Sequence, residues 1–235
     1  MTVRIPSGRG LRGPRHAGHT LAAEHLGALS LPVGDDGVII GTDTEGHARM
    51  IGFHRPAPYD VLLVGGLWTA QVLALRAAAT GARVAVETGR SRAWTGLAQA
   101  AGAGLACVSL HEVGRVPPTG ATVSSPVVVR DCGMRPPRGR VVSSPWQSVL
   151  TLLPYPSPVA PRLMRASALV GVQRVSPEEA GRIGGILGLS RIESEALPTL
   201  SDGVTLWVAG GERHWVRTDA TEVETQLLGD ARRMD

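Results

Sequence analysis

From Tyr59 onward, short apolar segments alternate with longer helical ones, and this alternation limits the possible folds more than any other feature. Tyr59–Val64 is apolar, Gly65 and Gly66 follow as a tight turn, and Leu67–Thr80 is rich in Ala and Leu. Arg83–Glu87 then begins the pattern again. Strands that alternate with helices are typical of a parallel sheet with helices packed on both faces.

The rest of the chain continues this pattern and adds a hairpin at each end. Further strands are predicted at Leu105–Leu110, Pro126–Arg130, Trp146–Leu153 and Ala168–Gln173, and further helices at Arg92–Ala101, Ser157–Ala166, Ser176–Leu187, Ser190–Ala196 and Thr221–Leu228. Hairpins are predicted from Val38–Ile40 with Ala48–Phe53, and from Val204–Val208 with His214–Arg217. We therefore expect a mostly parallel α/β domain of degenerate P-loop or Rossmann type, preceded by an N-terminal β-hairpin.

Composition divides the chain into three parts. Residues 1–20 are rich in Gly, Pro, Arg and His and are expected to be a flexible arm. Residues 21–57 would hold the hairpin and its connector, and 58–235 the α/β core. No apolar run is long enough to cross a bilayer, so we expect a cytoplasmic protein that reaches membranes only through partners.

The chain contains no lysine and no asparagine, and all 24 basic side chains are arginine. Both missing residues use A-rich codons, which indicates a GC-rich genome such as that of an actinobacterium. The chemical consequence holds whatever the cause. A phosphate-binding lysine, a Schiff-base lysine and a lysine general base are all excluded.

The turn at Gly65 lies where α/β proteins bind nucleotides, and two motifs can be compared with it. In the dinucleotide motif, Gly65 and Ala70 would fill the first and third positions and Glu87 the acidic one. Leu67 takes the place of the middle glycine and obstructs the pyrophosphate. The ATP-binding P-loop needs a longer loop and a lysine, and the chain has neither.

Val127–Asp131 has the form of a Walker-B strand that ends in an acid. Asp131 would then be a vestigial nucleotide-site residue together with Gly65, Gly66 and Glu87. The alternative is that Asp131 only caps the turn before Gly133. No histidine lies near Cys132 in sequence to activate it, and the histidines lack metal-ligand spacing, so we expect no catalytic residue and no metal.

Two stretches resemble known families. Gly37–Gly46 followed by Asp60–Gly66 resembles the entry of FtsK-like and conjugative coupling ATPases, where the same hairpin leads into the Walker-A strand. Leu67–Arg90 with Trp94 resembles the cytosolic domain of EccE, a component of actinobacterial type VII (ESX) secretion systems. The EccE resemblance extends over about residues 36–229. EccE proteins usually carry N-terminal transmembrane helices, and none is recognisable here.

These observations predict a non-catalytic component of type VII secretion that docks on partner proteins and needs no cofactor. Arg135, Arg138 and Arg140 lie beyond a predicted strand, on the edge where parallel sheets bind ligands, and are the predicted partner-binding residues. The alternative is a nucleotide- or dinucleotide-binding enzyme that uses Gly65, Gly66 and Glu87. No aromatic residues alternate with the arginines, which argues against a nucleic-acid partner.

Overall fold

A computed structural model describes residues 37–101, 107–116, 126–135 and 145–232, together with two short strands at 3–4 and 20–21. The chain divides into two compact units, Met1–Asp35 and Asp36–Asp235. In the first unit, β1 (Val3–Arg4) pairs antiparallel with β2 (Thr20–Leu21). The remainder of the predicted arm, 1–20, lies outside the described residues.

The second unit contains one ten-stranded sheet. Its strands are β3 (Val38–Asp43), β4 (Ala48–Ile51), β5 (Tyr59–Val64), β6 (Arg83–Thr88), β7 (Val108–His111), β8 (Pro126–Asp131), β9 (Ser148–Leu153), β10 (Leu169–Val172), β11 (Val204–Ala209) and β12 (Glu212–Arg217). Its helices are α1 (Leu67–Ala79), α2 (Ser91–Ala100), α3 (Ala160–Ala166), α4 (Pro177–Leu187), α5 (Arg191–Ala196) and α6 (Glu222–Leu228), with a 3₁₀ turn at Leu197–Thr199. No described helix is long and apolar enough to cross a membrane.

The strands lie in the order β4-β3-β12-β11-β10-β5-β9-β8-β6-β7. The strands from β10 to β7 are parallel, and the remaining four extend the sheet in antiparallel pairs. The chain leaves β5 toward β6 but leaves β9 toward β10, on the other side of β5. Such a reversal of direction is the usual ligand-binding point of a parallel sheet. The expected α/β class, mostly parallel with an N-terminal hairpin, is confirmed.

Two apolar clusters cover the two faces of the sheet. The larger one joins α1 and α2 to the sheet around Trp94 and Leu97, and the smaller one joins α3 and α4 around Met164 and Ile183. The central strands β5 and β9 are buried along almost their whole length, so they read in sequence as mainly apolar runs.

Local sequence signals account for the helix starts in the C-terminal half. Ser176, Ser190 and Thr221 each accept a hydrogen bond from the backbone amide three residues on, and a glutamate returns the bond to the cap. These capping boxes satisfy backbone donors that would otherwise lack partners. Helix α4 was predicted from this motif and begins and ends within one residue of the prediction.

One strand prediction needs correction, and one pairing could not be predicted. Trp146 was assigned to a strand, but its φ of 65° and its exposed side chain place it in a turn before β9. The predicted hairpin segment, 21–57, contributes β3 and β4 to the same sheet as the α/β core, because β3 pairs with β12. Pattern analysis of single strands cannot reveal that pairing, because the two strands lie far apart in the chain.

Candidate functional site

The turn after β5 is closed by a glutamine side chain. The Gly66 amide donates a 2.7 Å hydrogen bond to Oε1 of Gln173, which follows β10. The Gly65 amide donates to the carbonyl oxygen of Leu153 at 3.0 Å. Neither amide is therefore free to bind a ligand.

Gln173 is held in this position from its other end. Its Nε2 donates to Thr69 Oγ1 at 2.7 Å and to Thr205 Oγ1 at 3.2 Å, and the side chain is buried. A Cβ placed on Gly65 would lie 2.5 Å from Gln173 Oε1. A side chain at 65 would therefore displace Gln173 from its hydrogen bonds to Gly66 and Thr69.

The first turn of α1 has no face on solvent. Every residue from Gly65 to Ala74 is buried, including Leu67, which takes the place of the middle glycine of the dinucleotide motif. In nucleotide-binding α/β proteins this helix N-terminus meets the phosphates. Here an uncharged amide oxygen takes the position that a phosphate oxygen would need.

Asp131, at the end of β8, is buried and accepts several hydrogen bonds. Trp94 Nε1 donates to its Oδ2 at 2.7 Å, and Arg90 Nε lies 2.9 Å from the same atom. The Gly133 amide donates to Oδ1 at 3.2 Å, so the predicted turn cap is present. The carboxylate therefore joins α2 to β8 and is surrounded by donors from this chain.

Glu87 is also neutralised within the protein. Arg130 Nε lies 2.5 Å from its Oε2, both side chains are buried, and the Gly114 amide donates to its Oε1. Arg130, five residues before the predicted partner-binding Arg135, is thus part of a buried ion pair. The sequence does not show that β6 lies beside β8, so it could not reveal that Glu87 and Arg130 meet.

Cys132 follows Asp131 and is buried. Burial is the main factor that raises the pKa of its thiol, to about 11, and the Glu87 carboxylate adds to this while Arg130 opposes it. A thiol with so high a pKa is a poor nucleophile at neutral pH.

The predicted partner-binding arginines are only partly within the described residues. Arg135 is exposed beside Met134, whose side chain is 70% exposed, at the carboxyl edge of the parallel strands. Tyr155 Oη donates to the Met134 carbonyl and joins this turn to the segment before α3. Arg138 and Arg140 lie outside the described residues.

One group of possible metal ligands occurs within the described residues, at Asp43, Glu45 and His47. Asp43 already accepts hydrogen bonds from the amides of Glu45 and His47 and from Arg49. These bonds organise the turn of the first hairpin, which accounts for the cluster without an ion.

Sequence reasoning missed Gln173 and Arg90, the two side chains that occupy the predicted site. Gln173 is the last residue of the predicted strand Ala168–Gln173. A polar residue at the end of an apolar run was the one signal that could have marked it as a site residue. Its significance depends on β10 pairing with β5, which brings Gln173 next to Gly66.

Comparison with known proteins supports the fold. No family model matches the chain, and no curated protein sequence matches it either. Among solved structures, VirB4 of Thermoanaerobacter pseudethanolicus has a similar fold, with a TM-score of 0.56 at 11% sequence identity. The similarity covers 82% of this chain and 99% of that one. The resemblance to EccE remains a prediction.

Proposed function

We propose that this chain is a non-catalytic component of a secretion machinery, of the type VII class, which docks on partner proteins through its carboxyl-edge surface. The observation that carries the proposal is the bond from Gly66 to Gln173. The chain has the strand–turn–helix unit of a nucleotide-binding fold, but its own side chain closes the turn. We infer that it uses this fold without a phosphate site.

The absence of lysine supports the same conclusion. ATP-hydrolysing P-loops place a lysine on the transferred phosphate, and this sequence contains none. The acids that correspond to the Walker-B and ribose-binding positions are each neutralised by an arginine of the same chain. The secretion class rests on the resemblance of Leu67–Arg90 to EccE.

The docking surface is proposed at the carboxyl edge, around Met134 and Arg135. An exposed methionine beside an arginine is typical of interface composition, in which Met and Arg are enriched. Val113, 40% exposed on the loop after β7, is another apolar side chain at this edge. Arg138 and Arg140 continue this segment in sequence.

The test is co-purification of partners from the native host with the chain and with its Arg135→Ala/Arg138→Ala/Arg140→Ala variant. At about 0.5–1 kcal/mol per exposed contact, the triple change should weaken the partner roughly ten- to a hundredfold. The matched control makes the same charge change at three exposed arginines elsewhere, as Arg83→Ala/Arg191→Ala/Arg217→Ala. Equal capture by all three proteins would refute the proposed surface.

The alternative, a nucleotide- or dinucleotide-binding enzyme, has one observation in its favour. A cleft of about 380 Å³ lies at the carboxyl ends of β6 and β7, lined by Gly89, Ser91 and Glu112 among others. Glu112 would repel phosphate there. Ligand at 100 times its dissociation constant stabilises a protein by about 2.7 kcal/mol, so a melting shift with ATP or NAD would establish this alternative. We expect no shift.

A further inference from the structure

A second cleft, of about 240 Å³, lies between α3 and α4 on the other face of the sheet. Met164 and the prolines of the α3 entry form one side, and Ile183 and Ile186 of α4 form the other. The two polar lining residues are Ser157 and Arg182. Its size suits one large apolar side chain with a short stretch of backbone.

Ser157 lines this cleft and carries a hydroxyl that the fold leaves unsatisfied. The side chain is 4% exposed, and its Oγ has no hydrogen-bond partner among the described residues. Buried hydroxyl groups are normally hydrogen-bonded, because an unpaired one costs free energy. The Oγ has almost no accessible surface, so an acceptor on a bound ligand reaches it only once the α3 entry opens.

The surroundings of the cleft are basic. Arg162 and Arg165 are exposed on α3, which has no acidic residue, and they make no ion pair with described residues. Arg182 on α4 makes only a loose, exposed pair with Glu178, at 3.5 Å. The neighbouring Glu179 is engaged in the capping box. The two helices thus carry three arginines against two glutamates, of which Glu178 is paired with Arg182 and Glu179 is bound in the cap, and the charge favours an acidic occupant.

We propose that the α3–α4 cleft binds an acidic peptide segment of a partner protein, with one bulky apolar side chain of that segment inserted between the two helices. The α3 entry opens as the segment binds, so that the Ser157 hydroxyl donates to an oxygen of the segment, and the arginines attract its carboxylates. This inference rests on the proposed docking function and names the chemistry of the partner. The cleft adjoins the docking edge, because Pro156 lines the cleft and its neighbour Tyr155 bonds to Met134.

The test uses random peptides displayed on phage and selected on the full chain. Selected peptides are then synthesised, and their affinity is measured by fluorescence anisotropy. Three variants probe the cleft: Ile186→Trp fills it, Ser157→Ala removes the hydroxyl, and Arg162→Glu/Arg165→Glu reverses the charge. Ser167→Ala, at the other end of α3, and Arg191→Glu, on α5, are the matched controls.

We expect selected peptides to combine acidic residues with a bulky apolar one. Ile186→Trp and the charge reversal should each weaken binding at least about tenfold, and binding should fall as salt rises. Ser157→Ala should weaken it about fivefold, the equivalent of one hydrogen bond, and leave the melting temperature unchanged or higher. The controls should stay within about twofold of wild type.

The proposal is overturned if no peptide is selected, if the selected peptides lack acidic residues, or if the Ser157→Ala and charge-reversal variants bind like wild type. Ser157→Ala loses no bond and should fold, so a misfolded Ile186→Trp variant leaves the test intact. Its result is separable from that of the proposed function. If native partners are captured but no peptide binds, only the proposed peptide site in the cleft is refuted. If peptides bind but no native partner is captured, only the proposed secretion role is refuted.

Discussion

The indole nitrogen of Trp94 lies 2.7 Å from Oδ2 of Asp131, and both side chains are fully buried. The acid that resembles a Walker-B residue in sequence is therefore bound to a tryptophan of the neighbouring helix. This bond gives Asp131 a structural role that does not depend on any nucleotide. It also explains why Trp94, which is apolar in most of its surface, needs a polar partner at this position.

Trp94→Phe removes that donor while it keeps most of the apolar surface. The buried carboxylate then has one donor fewer, and we expect a loss of about 1–3 kcal/mol in the free energy of unfolding. Urea unfolding measures it. Trp146→Phe is the control, since that side chain is 53% exposed, and it should change stability by no more than about 0.5 kcal/mol. Equal effects of the two changes would show that the bond contributes nothing.

Gln173→Ala should destabilise the protein by about 1–3 kcal/mol, because it leaves the buried Gly66 amide without an acceptor. The close approach of Gln173 to Gly65 also predicts coupling. Gly65→Ala alone should be costly, since its Cβ would meet Gln173 Oε1 at 2.5 Å, but its cost should fall in the Gln173→Ala background. Strict additivity in this double-mutant cycle would contradict the close approach. Gln226→Ala, on the exposed side of α6, is the matched control.

Much of the fold was predictable because the signals are local. The strand–turn–helix succession around Gly65 and the capping box at Ser176 need no information from distant residues. What the sequence could not provide was pairing across the sheet. Gln173 reaches Gly66 only because β10 lies beside β5, and Glu87 meets Arg130 only because β6 lies beside β8. The side chains that fill the turn at Gly65 were therefore not identified from the sequence.

The ion pair between Arg76 and Glu224 predicts a pH dependence of stability. Burial alone would raise the pKa of the Glu224 carboxyl, but hydrogen bonds from Arg76 and the Thr221 amide hold it below its usual value. Because the pKa is lower in the folded state, the ionised carboxylate stabilises the folded protein at pH values above its unfolded-state pKa. This stabilisation is lost as the pH falls through the folded-state pKa. The stability gap between wild type and Glu224→Gln should thus be widest near neutral pH and narrow below about pH 4. The control is Glu222→Gln, at an exposed position on the same helix. Its stability gap to wild type should change little with pH.

The pKa of Cys132, raised to about 11, predicts slow alkylation. In a Cys107→Ser variant, where Cys132 is the remaining thiol, the rate with iodoacetamide should rise about tenfold per pH unit between pH 7 and 10. Mass spectrometry of the modified fraction measures the rate, and the same variant unfolded in urea gives the reference. A plateau near pH 8 in the folded protein would contradict the assigned environment.

The pairing of β3 with β12 has a consequence for synthesis on the ribosome. Among the described strands, the N-terminal hairpin has a single sheet neighbour outside itself, and that neighbour is Glu212–Arg217. The hairpin is translated well before β12 and must wait, with one edge of β3 unpaired, until Glu212–Arg217 has emerged. During that interval the hairpin side chains that the finished fold buries, Val38, Ile40 and Ile51, are available to chaperones. Premature termination before β12 would leave the hairpin permanently without its place in the sheet.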